Sequence, residues 1–178
     1  LNNDFLLVSQ HPVTTEYGDG RSQIRETLKA LDELKIPTIM LWPNIDAGSD
    51  DISKEIRTFR EKNNPEWLHV FRNLPVATYI NLMNATLCLI GNSSSGIREG
   101  AYIGTPVVNI GTRQHKRLKS GNVIQVNYNN NEIVDAIKSQ IKSGKYPISS
   151  IYGDGGTGNK IANLLSNIDI DVQKTITY

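Results

Sequence analysis

The chain is poor in several features that mark whole classes of protein. It has a single cysteine, Cys88, which excludes an internal disulfide framework and a structural zinc site built on cysteines. No apolar run approaches the roughly 18 residues that a membrane-spanning helix needs. Lys and Arg total 19 against 18 Asp and Glu, so the net charge of +1 gives no basis for a nucleic-acid or membrane partner held by long-range attraction. We therefore expect a cytoplasmic protein that binds neither.

The length is typical of one domain. A single domain commonly has roughly 150 residues, and this chain has 178, of which 38% are hydrophobic. We assign residues 1–168 to this domain and residues 169–178, which show no periodicity, to a C-terminal tail. Leu1 stands where an initiator Met is usual, and we expect an excised domain or a processed product. Cys88 lies within the apolar run TLCLIG, which predicts a buried, unreactive thiol.

Short apolar runs alternate with longer amphipathic segments along the chain. The runs predict strands at Phe5–Ser9, Thr38–Trp42, Leu68–Phe71, Thr86–Ile90, Pro106–Ile110 and Val123–Val126. The amphipathic segments predict helices at Arg21–Leu34, Ser49–Lys62, Gly96–Ile103, Glu132–Lys142 and Lys160–Ile168, with a further helix opened by Pro75. Continuous apolar strands that alternate with helices imply a parallel sheet covered on both faces. The predicted fold class is α/β: a doubly wound parallel sheet in a Rossmann-like three-layer sandwich.

Polar residues follow the predicted strands, at the edge where open α/β sheets bind their ligands. His11 follows the first strand and is the best acid/base candidate, because the unperturbed pKa of imidazole lies near neutrality. A lone histidine is nevertheless more often structural. Arg113 follows the fifth strand and has the charge to neutralise a diphosphate, or else it belongs with the basic residues after it to a solvated loop.

The segment GNSSSGIREG joins the fourth strand to a helix and predicts a phosphate site. Its glycines let the backbone approach a ligand, and the first-turn amides, the helix dipole and the hydroxyls of Ser93 and Ser94 all favour an anion. The alternative is a serine N-cap with Glu99 in a capping-box-like role, which accounts for one serine but not for three. The segment is neither a Walker loop nor GxGxxG.

Glu99 lies about one helical turn beyond the serines. Its carboxylate can accept two hydrogen bonds from a ribose diol. The alternative, which the residues leave equally open, is a solvated carboxylate that stabilises a helix N-terminus.

Four separate stretches together resemble the UDP-N-acetylglucosamine 2-epimerase family. They are QHPVTT at Gln10–Thr15, PNIDAGS at Pro43–Ser49, GNSSSGIREGAYIGTPVVNIGTRQ at Gly91–Gln114 and YGDG at Tyr152–Gly155. They occur in the family's order, and the match is closest to the hydrolysing branch, which makes N-acetylmannosamine or related sugars for sialic-acid-type pathways. The non-hydrolysing branch is a weaker match.

The resemblance implies that this chain is the C-terminal half of a two-domain, GT-B-like enzyme and carries most of the site for uridine diphosphate. Ser93 and Ser94 would bind the diphosphate and Glu99 the ribose. The remaining implied site residues are Asn44 and Arg113 in the nucleotide-sugar pocket, backbone around Leu74 at the uracil, and the active-site His11 near the sugar and diphosphate.

The family reaction eliminates UDP from a UDP-sugar through a 2-acetamidoglucal, to which water adds. The resemblance implies no cofactor and no metal, and it places the principal acid/base carboxylates on an N-terminal half that this chain lacks. That missing domain is therefore an expected partner, and the full-length enzyme is expected to be a homo-oligomer. The sugar is open between N-acetylglucosamine and a 6-deoxy 2,4-diacetamido analogue.

Two other functions compete with this one. The first is the C-terminal domain of a GT-B glycosyltransferase, which would share the fold, the anion site and the ribose-binding glutamate. The second is a nucleotide-binding or interaction module without catalytic activity. The HPVTT and GTRQ segments fit the epimerase better than the glycosyltransferase, and binding of UDP would distinguish both from the module.

Overall fold

A computed structural model describes residues 4–169 and 173. Its six strands form one sheet, paired in parallel throughout, in the spatial order β3-β2-β1-β4-β5-β6. The strands are β1 (Leu6–Ser9), β2 (Thr38–Leu41), β3 (Leu68–Phe71), β4 (Cys88–Gly91), β5 (Val107–Ile110) and β6 (Val123–Val126). This is the strand order of the Rossmann fold and confirms the predicted fold class.

Helices cover both faces of the sheet. They are α1 (Gly20–Leu34), α2 (Ser49–Asn63), α3 (Val76–Ala85), α4 (Ser94–Ile97), α5 (Glu99–Ile103), α6 (Asn130–Ser143) and α7 (Thr157–Asn167), with a single 3₁₀ turn at Thr14–Glu16. Side chains alternate across each strand, so Leu6 and Val8 pack in one core with α1, α2 and α6. Leu7 faces the opposite way, into a second core with α3 and α5.

The helix predicted at Gly96–Ile103 is instead two short helices, α4 and α5. They meet at Arg98, whose φ of −92° and ψ of −72° turn the chain between them. Helix α6 begins two residues before the predicted start, because the side chain of Asn129 accepts hydrogen bonds from the backbone N–H groups of Asn131 and Glu132. The periodicity of apolar residues shows neither a break in backbone angles nor an N-cap hydrogen bond, so it could not predict these two differences.

Cys88 is fully buried in β4, as predicted. Burial raises the pKa of its thiol, so the group stays protonated and unreactive at neutral pH. The predicted tail, residues 169–178, lies outside the described residues except for Asp169 and Gln173. Within the described part of the chain, no helix is both long enough and apolar enough to cross a membrane.

The strand order reverses between β1 and β4, which are hydrogen-bonded neighbours. Such a switch point opens a crevice at the carboxyl ends of the two strands. Gly91 closes β4 there with a φ of +129°, and a Cβ at this position would lie 2.2 Å from the carbonyl oxygen of Ser9. Only glycine permits the two strand ends to approach this closely.

Candidate ligand site at the switch point

Asn92 connects the two strand ends at the switch point. Its side chain accepts a hydrogen bond from the backbone N–H of His11 at 2.7 Å and donates one to the backbone carbonyl of the same residue at 2.8 Å. The residue is 1% exposed. The amide therefore satisfies both main-chain groups of a buried loop residue, which fixes the loop after β1 against the loop after β4.

The backbone carbonyl of Asn92 holds the loop after β5. It accepts a hydrogen bond from Gln114 Nε2 at 2.9 Å and another from Arg113 Nη1 at 3.2 Å. Arg113 Nη2 also lies 3.8 Å from Asp46 Oδ2 in the loop after β2. The guanidinium thus stands at the edge of the crevice with its direction set by a carbonyl and a carboxylate.

His11 joins the loop after β2 to the same cluster. Its Nδ1 accepts a hydrogen bond from the backbone N–H of Asn44 at 3.1 Å, and its Nε2 lies 3.2 Å from the hydroxyl oxygen of Ser9. Because Nδ1 acts as an acceptor, this network assigns the proton of the neutral ring to Nε2. Burial first, and the charge of Arg113 second, lower the pKa of His11 to about 4, while Asp46 opposes them. The imidazole is therefore neutral at physiological pH.

A shallow cavity of about 360 Å³ adjoins this cluster. Arg113 and Asp46 line it together with Thr112 and the segment Pro12–Thr15. The two stretches HPVTT and GTRQ, which are nearly 100 positions apart in the sequence, therefore face one another across a single opening.

Ser93 is the N-cap of α4. Its hydroxyl oxygen accepts a hydrogen bond from the backbone N–H of Ser95 at 3.4 Å and lies 2.9 Å from the hydroxyl oxygen of Ser95. Since α4 has only four residues, it lacks the macrodipole of the longer helix that the sequence predicted. The capacity of this loop to bind an anion rests instead on first-turn N–H groups and hydroxyls, including that of Ser94, which is partly exposed.

Glu99 begins α5 and caps no helix. Its Oε2 is buried and has no hydrogen-bond partner among the described residues. The residue lines a cavity of about 480 Å³ with Arg98 and Tyr102 of the same turn, and with the YGDG segment. A carboxylate that lines a cavity and has one unpaired oxygen is a candidate to accept hydrogen bonds from a ligand.

Leu74 lies apart from the central cluster. It follows β3, one of the two edge strands, and its backbone N–H donates to the side chain of Asn73 at 2.9 Å. The chain then enters α3, whose Tyr79 hydroxyl lies 2.7 Å from the hydroxyl of Ser95. The loop containing Leu74 is thus linked to the serine segment through one helix.

Two residues that lie at this edge were not singled out from the sequence. Asn92 stands directly after a buried strand, and that position was the only available signal. The second is Glu16, whose carboxylate accepts hydrogen bonds from Gln23 at 2.6 Å and Tyr128 at 3.2 Å, and from the Thr112 hydroxyl. Glu16 therefore braces the loop that carries Arg113. Across the described residues, no three His, Cys, Asp or Glu side chains are grouped as a metal site would require.

Residues 1–166 match the family model described as UDP-N-acetylglucosamine 2-epimerase. The chain belongs to the UDP-N-acetylglucosamine 2-epimerase family. It is 30% identical over 167 residues to the hydrolysing UDP-N,N'-diacetylbacillosamine 2-epimerase of Legionella pneumophila, a match covering 94% of this chain and 44% of that protein. It is 34% identical over 130 residues to the hydrolysing GDP/UDP-N,N'-diacetylbacillosamine 2-epimerase of Campylobacter jejuni, covering 72% of this chain and 34% of that protein.

Solved epimerase structures share the fold. The UDP-N-acetylglucosamine 2-epimerase of Neisseria meningitidis bound to UDP-GlcNAc matches 92% of this chain with a TM-score of 0.72 at 17% identity. The Methanocaldococcus jannaschii enzyme in complex with UDP-GlcNAc and UDP matches 92% with a TM-score of 0.71 at 14% identity. The matched region is 45% of each of those chains, so this chain spans less than half the length of those relatives.

The two hydrogen bonds of Asn92 predict a stability effect. Asn92→Ala leaves the buried N–H and carbonyl of His11 unpaired, which should lower the free energy of unfolding by about 2–4 kcal/mol. Urea denaturation measures this change. The control is Asn63→Ala, because Asn63 is exposed and its side chain bonds only a carbonyl of its own helix. Equal, small losses in the two variants would contradict the assigned role of Asn92.

The buried, neutral His11 predicts a dependence of stability on pH. Its folded pKa of about 4 lies below the ordinary value of 6.5, so between these values the unfolded chain binds a proton that the folded chain does not. Stability should therefore fall by about 2–3 kcal/mol through this residue as the pH drops across that window, and level off below it. Urea denaturation at about pH 7 and about pH 4.5 should show a smaller fall in His11→Gln, whereas exposed His69→Gln should behave like wild type. Parallel curves for all three proteins would be inconsistent with a buried neutral imidazole.

Proposed function

We propose that this chain is the C-terminal, UDP-binding domain of a hydrolysing 2-epimerase that acts on a UDP-linked 2-acetamido sugar. The observation that carries the proposal is Glu99, which lines a cavity four positions beyond the serine segment and whose buried Oε2 has no hydrogen-bond partner among the described residues. Residues 1–168 form the domain and residues 169–178 a C-terminal tail. Family membership, and the relatives whose structures contain UDP or UDP-GlcNAc, support this assignment.

The proposed ligand lies along the carboxyl edge of the sheet. Ser93, Ser94 and Arg113 bind the diphosphate, since together they offer hydroxyl donors and a guanidinium. Glu99 accepts hydrogen bonds from the ribose diol. Asn44 lines the nucleotide-sugar pocket, and the backbone around Leu74 contacts the uracil.

In the proposed reaction, a base removes the proton on C2 of the sugar and the C1–O bond breaks. UDP leaves with the bonding electron pair, and a 2-acetamidoglucal remains. Water then adds across the double bond, giving the free C2 epimer. Arg113 and the serine segment stabilise the charge that develops on the departing diphosphate.

His11 is the proposed catalytic residue that this chain contributes. As a neutral imidazole with its proton on Nε2, it carries one transferable proton and one basic nitrogen. Both nitrogens are engaged by Ser9 and Asn44 in the structure, so substrate must replace one of these partners before a proton moves.

The principal carboxylates that carry protons are expected on the rest of the enzyme, which is the proposed partner of this domain. Helix α7 presents three exposed apolar side chains at the spacing of one helical face, namely Ile161, Leu164 and Leu165, and exposed Ile168 follows its last residue. An uncovered apolar stripe of this kind supports contact with a further domain.

The complete enzyme is proposed to be a homo-oligomer. The relatives named for diacetylbacillosamine extend the substrate class to diacetamido sugars.

UDP binding tests the site. Wild-type chain should bind UDP more tightly than uridine, because the diphosphate contributes charge-assisted hydrogen bonds. Arg113→Ala should weaken UDP binding by about tenfold or more and leave uridine unaffected. Lys116→Ala removes the same charge from an exposed position in the same loop and should bind both as wild type does. NMR titration measures all six affinities, and equal affinity of the wild-type chain for UDP and uridine would refute the diphosphate site.

Turnover tests the domain assignment. The purified 178-residue chain should release no free 2-epimer from UDP-N-acetylglucosamine, because it lacks the carboxylates expected on the other half. Adding the missing half should restore release, with UDP and free sugar formed in equal amounts. Rapid release by this chain alone would show that its catalytic groups are complete.

A further inference from the structure

We propose that Tyr79 is a positioning residue for the diphosphate, acting through Ser95 on the hydroxyl of Ser93. This inference rests on the proposed function, since it concerns the same diphosphate subsite. Tyr79 lies on α3, a helix that supplies none of the phosphate-binding groups, and nothing in the serine segment's sequence points to it.

Three hydroxyl groups form a continuous chain. The Tyr79 hydroxyl oxygen lies 2.7 Å from that of Ser95, and the latter lies 2.9 Å from that of Ser93. The backbone N–H of Ser95 also donates to the Ser93 hydroxyl oxygen at 3.4 Å. A side chain on α3 therefore bonds Ser95, 16 positions away in the sequence, and reaches the N-cap Ser93 through it.

The direction of the protons follows from what each hydroxyl can offer. A hydroxyl has one proton to donate and two lone pairs that accept. If Tyr79 donates to Ser95 and Ser95 donates to Ser93, the Ser93 oxygen accepts twice, once from this hydroxyl and once from the Ser95 N–H. Its own proton is then the only hydrogen-bonding capacity left. In this arrangement Ser93 can only donate, which suits the acceptor oxygens of a phosphate group.

A phosphate anion reinforces the same direction. Phosphate oxygens only accept, so a bound diphosphate draws the proton of Ser93 outward and aligns the two hydroxyls behind it. Hydrogen bonds in such a chain polarise and strengthen one another. Tyr79 is thus the donor at the inner end of the three hydroxyls. Without it, the Ser95 hydroxyl would no longer be held in the orientation that donates to Ser93.

The fold holds Tyr79 firmly enough for this role. Its ring is partly buried against the second core, which includes Phe5, Leu7 and Met83. Its backbone N–H donates to the carbonyl of Pro75 in the first turn of α3. The phenol therefore reaches the serines from an anchored ring rather than from a mobile surface side chain.

A merely structural role would have a different signature. If the Tyr79 hydroxyl only tied α3 to α4, its loss would lower stability and would weaken UDP and uridine binding alike. The chain of hydroxyls predicts a loss confined to ligands that carry phosphate. It also predicts that Tyr79 has no further effect once Ser95 has lost its hydroxyl.

The experiment is a double-mutant cycle on the 178-residue chain, with UDP and uridine affinities measured by NMR titration. Tyr79→Phe and Ser95→Ala should each weaken UDP binding about three- to tenfold with uridine unchanged. The double variant should lose no more than the larger single loss. Tyr146→Phe is the matched control, because its hydroxyl donates at 2.8 Å to buried Gln140, outside the proposed ligand site. It should bind both ligands as wild type does.

The outcomes separate two failures. If wild-type chain binds UDP no better than uridine, the proposed diphosphate site fails and this inference fails with it. If the wild type shows the preference for UDP but Tyr79→Phe retains full UDP affinity, only the role of Tyr79 is wrong. Parallel losses of UDP and uridine, or additive losses in the double variant, also overturn it.

Discussion

The exchange of two hydrogen bonds between the Asn92 side chain and the backbone of His11 is the constraint on which the rest of the site depends. It sits where the strand order reverses, and Gly91 lets the two strand ends approach there. From this point the Asn92 carbonyl directs Arg113, and the His11 ring holds the amide of Asn44. Asn92 and His11 together therefore connect loops that follow four different strands. The parallel sheet brings these loops to one edge but does not by itself fix their conformations.

The electrostatics of this edge are local and do not follow from the net charge of +1. His11 contributes no positive charge because burial and Arg113 keep it neutral. The guanidinium of Arg113 supplies the cation, directed by Asp46 and a carbonyl. The hydroxyls of the serine segment add donors without charge, and Glu99 adds an acceptor that lacks a partner among the described residues. Donors and an acceptor thus flank one edge, in keeping with a ligand that carries both a diphosphate and a diol.

The fold could be predicted because continuous apolar strands and amphipathic helices leave a clear pattern, and every predicted strand exists. The serine segment, Glu99 and Arg113 could be named as candidates because strand ends mark the ligand edge and because the family motifs coincide with them. The break at Arg98 was not predictable, since it is a backbone angle and changes no apolar spacing. Asn92 was missed because asparagine is ordinary in a loop, and Tyr79 because its partner lies on another helix.

The most direct test of the account is a map of backbone amide shifts in the 178-residue chain on titration with UDP. If the loops joined by Asn92 form one site for the nucleotide, the largest changes occur together at residues 92–96, Glu99 and Arg113, and saturate with a single affinity. Changes confined to other surfaces, or none at UDP concentrations that saturate an intact epimerase, would contradict it.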